Sequence, residues 1–396
     1  MIPSPAEPAS EQSPLLSAGR GHHSCRQRLQ RLKRFFKSDC YAVFLLLFPV
    51  LGIASGIFDK APSIVFSLNF LALLSLSRLN LRQLSRVSPL LGPLGRGFWH
   101  AILDNAIICI VTIQKGAASV AQSCILGSLL ANILLVIGSC FLIAGIRHSE
   151  TSFSTTYASK ASSLMIVAST SLVVPSAMAE VHCRVDPVCE EPLLRMSRTV
   201  SIALLLLFLI YLHYRLRSHR AMFHEPTFAE TDSRSNAQSM LLGMFEGIHL
   251  VVVQALASRS AYFLVDVLDA VTDSPFISDR VASFALLPLA ADGPFRLEAI
   301  MAAHRNEMAT ALDYAIGRSM NLALFATPCL VLFSWVVQSS CPMTLHFPTL
   351  ETISIFLGMT LVAELCRDGK SDYLEGAMCL VMYGLPCSFE EISTNG

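Results

Sequence analysis

Asp104, Asn105, Ser128 and Asn132 place four oxygen-bearing side chains inside one apolar stretch, DNAIICIVTIQKGAASVAQSCILGSLLANILLVIG, from Asp104 to Gly138. A second stretch, GPFRLEAIMAAHRNEMATALDYAIGRSMNLALFATP from Gly293 to Pro328, carries Glu298, Asp313 and Asn321. Carboxylates, amide carbonyls and hydroxyls are the donors of a hard-cation site, and calcium takes about six to eight such oxygens. A carboxylate held in a low dielectric has a raised pKa and can keep a proton when a metal leaves. The same residue types therefore suit coupled exchange of a cation for protons. Ionisable groups deep in an apolar span are costly and mark function by default.

The elements that position these residues look duplicated. Each stretch is an apolar helix, a short polar break and a second apolar helix with a glycine followed by polar residues. Asn105 precedes Gly127 by 22 residues (127 − 105), and Phe295 precedes Gly317 by 22 (317 − 295). Duplicated hairpins in a hydrophobic chain are a common way of building one transport site at the bilayer midplane.

The 396 residues are 53% hydrophobic and 15% charged, against roughly 25% charged in soluble domains. Several windows approach or exceed the ~20 apolar residues that span a bilayer. Formal net charge is zero, which gives nucleic acid no electrostatic footprint. Residues 1–20 lack the apolar core of a cleavable signal peptide. Most of the 12 cysteines lie in apolar spans, where they read as small packed hydrophobes. Cys183 and Cys189 share a polar loop and could pair in an oxidising lumen. The sequence has no CxxC pair and no zinc spacing.

Hydropathy predicts an all-α polytopic membrane protein with about eleven transmembrane helices. The spans fall at about 41–58, 62–77, 98–114, 119–145, 160–179, 198–215, 240–268, 277–303, 309–337, 349–365 and 372–386. The eighth is interrupted by Asp292, Gly293 and Pro294. Arginines cluster after even-numbered spans: Arg78, Arg82, Arg86 and Arg96, then Arg147, then Arg215, Arg217 and Arg220, then Arg305 and Arg367. The positive-inside rule then puts the N-terminus in the cytosol. The organisation predicted is a disordered basic cytosolic tail over 1–39, a first helix over 40–60, one repeat over 61–216, a polar cytosolic linker over 217–238 and a second repeat over 239–390. Five spans is an odd number, so two five-helix repeats in one chain are inverted relative to each other, with one extra N-terminal span.

The segments FPVLGIASGI at 48–57, LNFLALLSLS at 68–77, ILGSLLANILLVIG at 125–138, LVVPSA at 172–177, LRSHRAMF at 216–223, FLVD at 263–266 and DGKSDYLEGAM at 368–378 together resemble the calcium/proton exchanger family of the cation/calcium antiporters. The resemblance runs from about Val43 to Gly384. It implies a Gly-Asn-Ala-x-Glu motif in each repeat, whose two glutamates bind calcium alternately with protons. Here the first glutamate position falls on Asn105, beside Asp104, or in a shifted alignment on Ile107 or Ile108; the second falls on Phe295, after Asp292-Gly293-Pro294. The family's Gly-Ser-Ser after the second hairpin reads Gly317-Arg318-Ser319.

The candidate cation pathway is therefore Asp104, Asn105, Ser128, Asn132, Glu298 and Asn321, with Phe295, Arg318, Asp313 and Gln122 as the altered or lining positions. Each has a plainer reading: a helix-start acid for Asp104, interhelical hydrogen bonds for Gln122 and the asparagines, and an internal partner for Arg318 or Arg296 in the case of Glu298. Asp313 reads either as the partner of Arg318 or as a ligand. One further reading gives the Arg318 guanidinium the place of the cation. Asp266 and Glu375 read as structural or access-path groups at span ends.

The resemblance implies a secondary cation transporter that exchanges calcium for protons across a vacuolar or related endomembrane by alternating access, with degraded binding motifs. Its partners would be the bilayer and the transported cation, with no cofactor beyond the calcium and protons carried. The alternatives are another cation carried by relocated carboxylates, or a non-transporting regulatory membrane protein on the same scaffold. No nucleophile–base or metal constellation points to an enzyme.

Overall fold

The computed structural model describes residues 45–58, 60–103, 106–148, 151–153, 155–182, 190–214, 236–272, 278–337 and 342–395. The basic tail, Asp104, Asn105, Cys183, Cys189 and nearly all of the 217–238 linker lie outside the described residues. The regular elements described are helices apart from one two-residue strand pair.

The first half comprises α1 (Leu45–Ile57), α2 (Pro62–Leu103), α3 (Ala106–Gln114), α4 (Ala118–Leu130), a π-helical segment π1 (Ala131–Val136), α5 (Ile137–His148), β1 (Thr151–Ser152), α6 (Thr155–His182) and α7 (Glu190–His213). The second comprises α8 (Asn236–Asp266), α9 (Leu268–Thr272), α10 (Asp279–Val281), π2 (Ala282–Leu286), α11 (Leu287–His304), α12 (Met308–Asn321), π3 (Leu322–Ala326), α13 (Thr327–Val336), α14 (Thr349–Leu365), β2 (Lys370–Ser371) and α15 (Tyr373–Asn395). Among the described residues, six helical stretches are long and apolar enough to cross a membrane by length and composition.

Two expectations are corrected here. Residues 78–97, read as a loop, continue α2 as helix to Leu103. No glycine or proline falls between Leu79 and Ser88, so nothing local ends the helix there, and it continues through Pro89, Gly92, Pro93, Gly95 and Gly97 beyond. The Asp292-Gly293-Pro294 step, read as an interruption, lies inside the unbroken α11. Proline removes one intrahelical donor, and packing supports the helix around it. The site of Gly293 faces Leu74 of α2, and the Ser77 hydroxyl of α2 donates to the Ala291 carbonyl at 2.5 Å.

The duplication is visible in the backbone. Gly116 (φ 78°) turns the chain between α3 and α4, and Asn306 (φ 66°) turns it between α11 and α12. Each stands 11 residues before its glycine (127 − 116 and 317 − 306). Asparagine is among the few non-glycine residues that tolerate this left-handed region. Each second helix then loosens into a π segment, π1 four residues after Gly127 and π3 five after Gly317.

The helix ends sort into two groups that touch only within themselves among the ties described. In one, Arg147 meets His304 at 2.7 Å, β1 pairs with β2, and Glu298 bridges Arg78 and Arg305. In the other, Lys115 meets Asp266 at 2.5 Å, Gln122 donates to the Thr344 carbonyl at 2.9 Å, and Ser176 and Ser197 bind the backbone of Leu345. The α4–α5 hairpin arm starts in the second group, at Gln122, and ends in the first, at Arg147. The α12–α13 arm starts beside His304 and Arg305 in the first group and ends in the second, where Trp335 carries Arg198 over its ring at 4.6 Å. The two copies therefore run in opposite directions.

These two arms are also the centre of the bundle. The stretches Ala118–His148 and Met308–Val336 are 72% and 67% buried, whereas Glu191–His213 at the rim is 22% buried. Ile125, Leu126, Leu129, Ile133, Leu134, Ile137 and Phe141 fill the core around the first arm. Gly127 permits the closest crossing: a Cβ there would fall inside the carbonyl of Phe284 in π2. Close approach through small residues is what drives helix packing in bilayers, where the hydrophobic effect between spans is absent.

Candidate functional site

At mid-depth, α11 lies between the two arms. Asp292 is 13 residues from the start of α10 at Asp279 and 12 from the end of α11 at His304. Asn132 is 14 residues from Ala118 and 16 from His148. The side chains that meet here come from α11, α12 and π1.

Arg318 of α12 donates from Nη2 to Asp292 Oδ1 at 2.5 Å. Its guanidinium carbon also lies 3.9 Å from the centroid of the Phe295 ring, a cation–π geometry that strengthens when water is excluded. Asp292 and Phe295 are one turn apart on α11, so one presents a carboxylate and the other a ring to the same group. Arg296, the next residue, donates from Nε to Asn132 Oδ1 at 3.1 Å. Arg296 Nη2 is buried without a hydrogen-bond partner. Asp292 is 1% exposed, Phe295 2%, Arg296 7% and Arg318 6%, so the centre is closed to solvent.

Ser128 is fully buried one residue after the Gly127 crossing. Ser319 turns its hydroxyl back to the Ala315 carbonyl at 2.9 Å. Asn321 is buried at the end of α12, immediately before π3. Thus π1 contains Asn132 and π3 follows Asn321. A π segment offsets the face that follows it, and such segments recur at functional sites.

The sequence-predicted residues divide accordingly. Ser128, Asn132, Asn321, Phe295 and Arg318 all lie in the buried centre of the bundle. Asp104 and Asn105 lie outside the described residues. Gln122 is tied to the loop before α14 through Thr344. Asp313 is half-buried on α12. Glu298 is not a partner of Arg318 or Arg296: it bridges Arg78 at 3.4 Å and Arg305 at 3.8 Å, toward one end of the bundle. Six residues separate it from Asp292, which places it about 9 Å further along the helix.

Arg318 is bonded to the Asp292 carboxylate, a role the sequence reading does not assign to Asp292. Arg296 on Asn132 was likewise missed. The available signal was that an arginine inside an apolar span needs a partner. Among the described residues, no group of three or more histidine, cysteine, aspartate or glutamate side chains is placed to hold a metal ion.

The span-end acids make local ties. Asp266 pairs with Lys115, which also lies 3.8 Å above the Tyr262 ring. Glu375 and Asp372 exchange backbone bonds at the start of α15, a capping box.

Comparison with known proteins places this geometry. The family model for the sodium/calcium exchanger protein matches residues 98–217 and 247–389. The chain is 31% identical over 391 residues to a vacuolar calcium ion transporter of Schizosaccharomyces pombe, covering 96% of this chain and 93% of that protein. It is 27% identical over 335 residues to a Ca2+/H+ antiporter of Aphanothece halophytica, covering 81% and 87%. Among solved structures, native YfkE superposes with TM-score 0.73 at 20% identity, covering 87% of this chain and 97% of that one. The H+/Ca2+ exchanger CAX superposes with TM-score 0.70 at 12% identity, covering 89% and 88%. At those identities the superpositions establish the fold.

Proposed function

The chain belongs to the sodium/calcium exchanger family, and from that premise we propose that it is a secondary transporter that exchanges calcium for protons across a vacuolar or related endomembrane. The observation that carries this reading is the meeting of two oppositely directed hairpins at a buried polar centre (Asp292, Ser128 and Asn132). Alternating access needs such a centre, reachable from each face in turn as one repeat rocks against the other. The relatives named for vacuolar calcium transport and for calcium/proton antiport support the choice of ions.

Asp292, Ser128, Asn132 and Asn321 are the donors this reading assigns from the described residues, joined from the sequence by Asp104 and Asn105. Glu298, held between two arginines at one end, serves the access path. The cytosolic side is assigned to the group of ends with Arg78, Arg147, Arg305 and Arg367, following the positive-inside rule. The repeats are assigned to 61–216 and 239–390.

A second reading is favoured by one observation, the two arginines at the centre: a membrane protein on the exchanger scaffold that no longer transports. Calcium uptake into acid-inside vesicles separates the two. Uptake that stops when the pH gradient is collapsed supports exchange. Absence of uptake in vesicles holding correctly inserted protein favours the second reading.

A further inference from the structure

We propose that Arg318 is a tethered cation: its guanidinium occupies the place that a transported cation takes against Asp292, and calcium reaches that carboxylate only by displacing it. This rests on the reading of the bundle centre as the cation site.

Three features of the geometry carry it. The first is position. Arg318 and Asp292 meet at the middle of the bundle, where the two hairpins cross, and not at an end where an ion pair would merely staple helices.

The second is occupancy. The guanidinium is bonded to Asp292 at 2.5 Å and lies 3.9 Å from the Phe295 ring centroid. It thus has a carboxylate on one side and an aromatic face on another. The amide oxygen of Asn132, the neutral donor at the same depth, is taken by Arg296 at 3.1 Å. Each of these two oxygen donors is therefore bonded to an arginine N–H, in the place of a metal ion.

The third is burial. Both members of the pair are almost wholly buried. In such surroundings charges act on one another strongly, and a divalent ion beside an arginine that stays in place is opposed by like charge. An arginine is always protonated, so pH does not remove this competitor. The long, flexible stem of the side chain allows it to withdraw and return.

Arg318 is thus a specificity-determining residue that sets how tightly calcium is held. Three consequences follow for purified full-length protein in detergent, titrated with calcium and read by bound radioactive calcium and by the calcium-dependent shift of the melting temperature. Arg318→Ser raises the apparent calcium affinity at least about tenfold, equivalent to about 1.4 kcal/mol. Asp292→Asn in that background removes the gain, and Arg318→Lys, which keeps the charge, stays at the wild-type affinity.

A folded Arg318→Ser protein with wild-type affinity overturns the proposal, and so does a gain that survives Asp292→Asn. The wild-type chain tests the proposal without any change at Arg318. Calcium should raise its melting temperature only above about 1 mM, and a rise already at about 10 μM calcium that Asp292→Asn abolishes overturns the tethered cation. Vesicle uptake by a chain whose binding ignores Arg318→Ser leaves the transport reading standing and removes this inference. Tighter binding in Arg318→Ser with no uptake by either protein does the reverse.

Discussion

Arg318 and Asp292 form a buried ion pair between adjacent helices, 2.5 Å from Nη2 to Oδ1, at the level where the two inverted hairpins of the chain cross. A buried pair of this kind holds its structure in an asymmetric way. Removing both charges can be nearly neutral, whereas removing one leaves the other in a low dielectric, at a cost of about 3–5 kcal/mol. Asp292→Ala should therefore destabilise the protein by that order, and Asp292→Ala with Arg318→Met by clearly less than the sum of the single changes. Denaturation in mixed micelles measures both. Additive losses would show that the two side chains do not act as a pair.

The crossing at Gly127 makes a sharper steric prediction. Because a Cβ there would enter the Phe284 carbonyl, Gly127→Ala must separate α4 from π2, and overpacking of this sort costs about 1–3 kcal/mol or more. At Gly247 on α8, an added Cβ would meet no heavy atom within 4 Å, so Gly247→Ala should be neutral or stabilising by up to about 1 kcal/mol. The yield of monodisperse protein and its melting temperature compare the two. Equal behaviour would mean that the crossing is looser than described.

Much of this arrangement is legible in the sequence, and the remainder is not, for physical reasons. Apolar runs locate the spans, because length and hydropathy are local. The duplicated 22-residue spacing locates the hairpins, and the backbone turns at Gly116 and Asn306 bear that out. Partner choice is not local. Asp292, which lies on another helix from Arg318, is placed by tertiary packing. Arg296 and Asn132 are 164 residues apart, and nothing in either segment names the other. The helix through 78–97 is not legible locally: its arginines suit a helix, but Pro89, Gly92, Pro93, Gly95 and Gly97 are local breakers.

The two groups of helix ends predict a labelling pattern. Lys370, in the β1–β2 group, and His346, beside Leu345 in the other, are both exposed. Lys370→Cys should react with a membrane-impermeant maleimide from the cytosolic side only, and His346→Cys only from the lumenal side. Reaction of both from one side would contradict the opposed directions of the hairpins.

The Lys115–Asp266 contact is a weaker tie. Asp266 is 54% exposed, and exposed pairs contribute about 0–1 kcal/mol. The Tyr262 ring adds about 0.5–1 kcal/mol through its cation–π contact. Lys115→Ala should lower stability by no more than about 2 kcal/mol, and added salt should narrow the difference. A larger, salt-independent loss would mark Lys115 as part of the working machinery.

The most direct test is proton movement in proteoliposomes loaded with acid buffer and a pH-sensitive dye. If the chain exchanges calcium for protons, calcium added outside will alkalinise the interior, and Arg318→Ser will lower the calcium concentration needed by about tenfold. A lumenal pH that stays constant with both proteins, although both are inserted and folded, would contradict exchange.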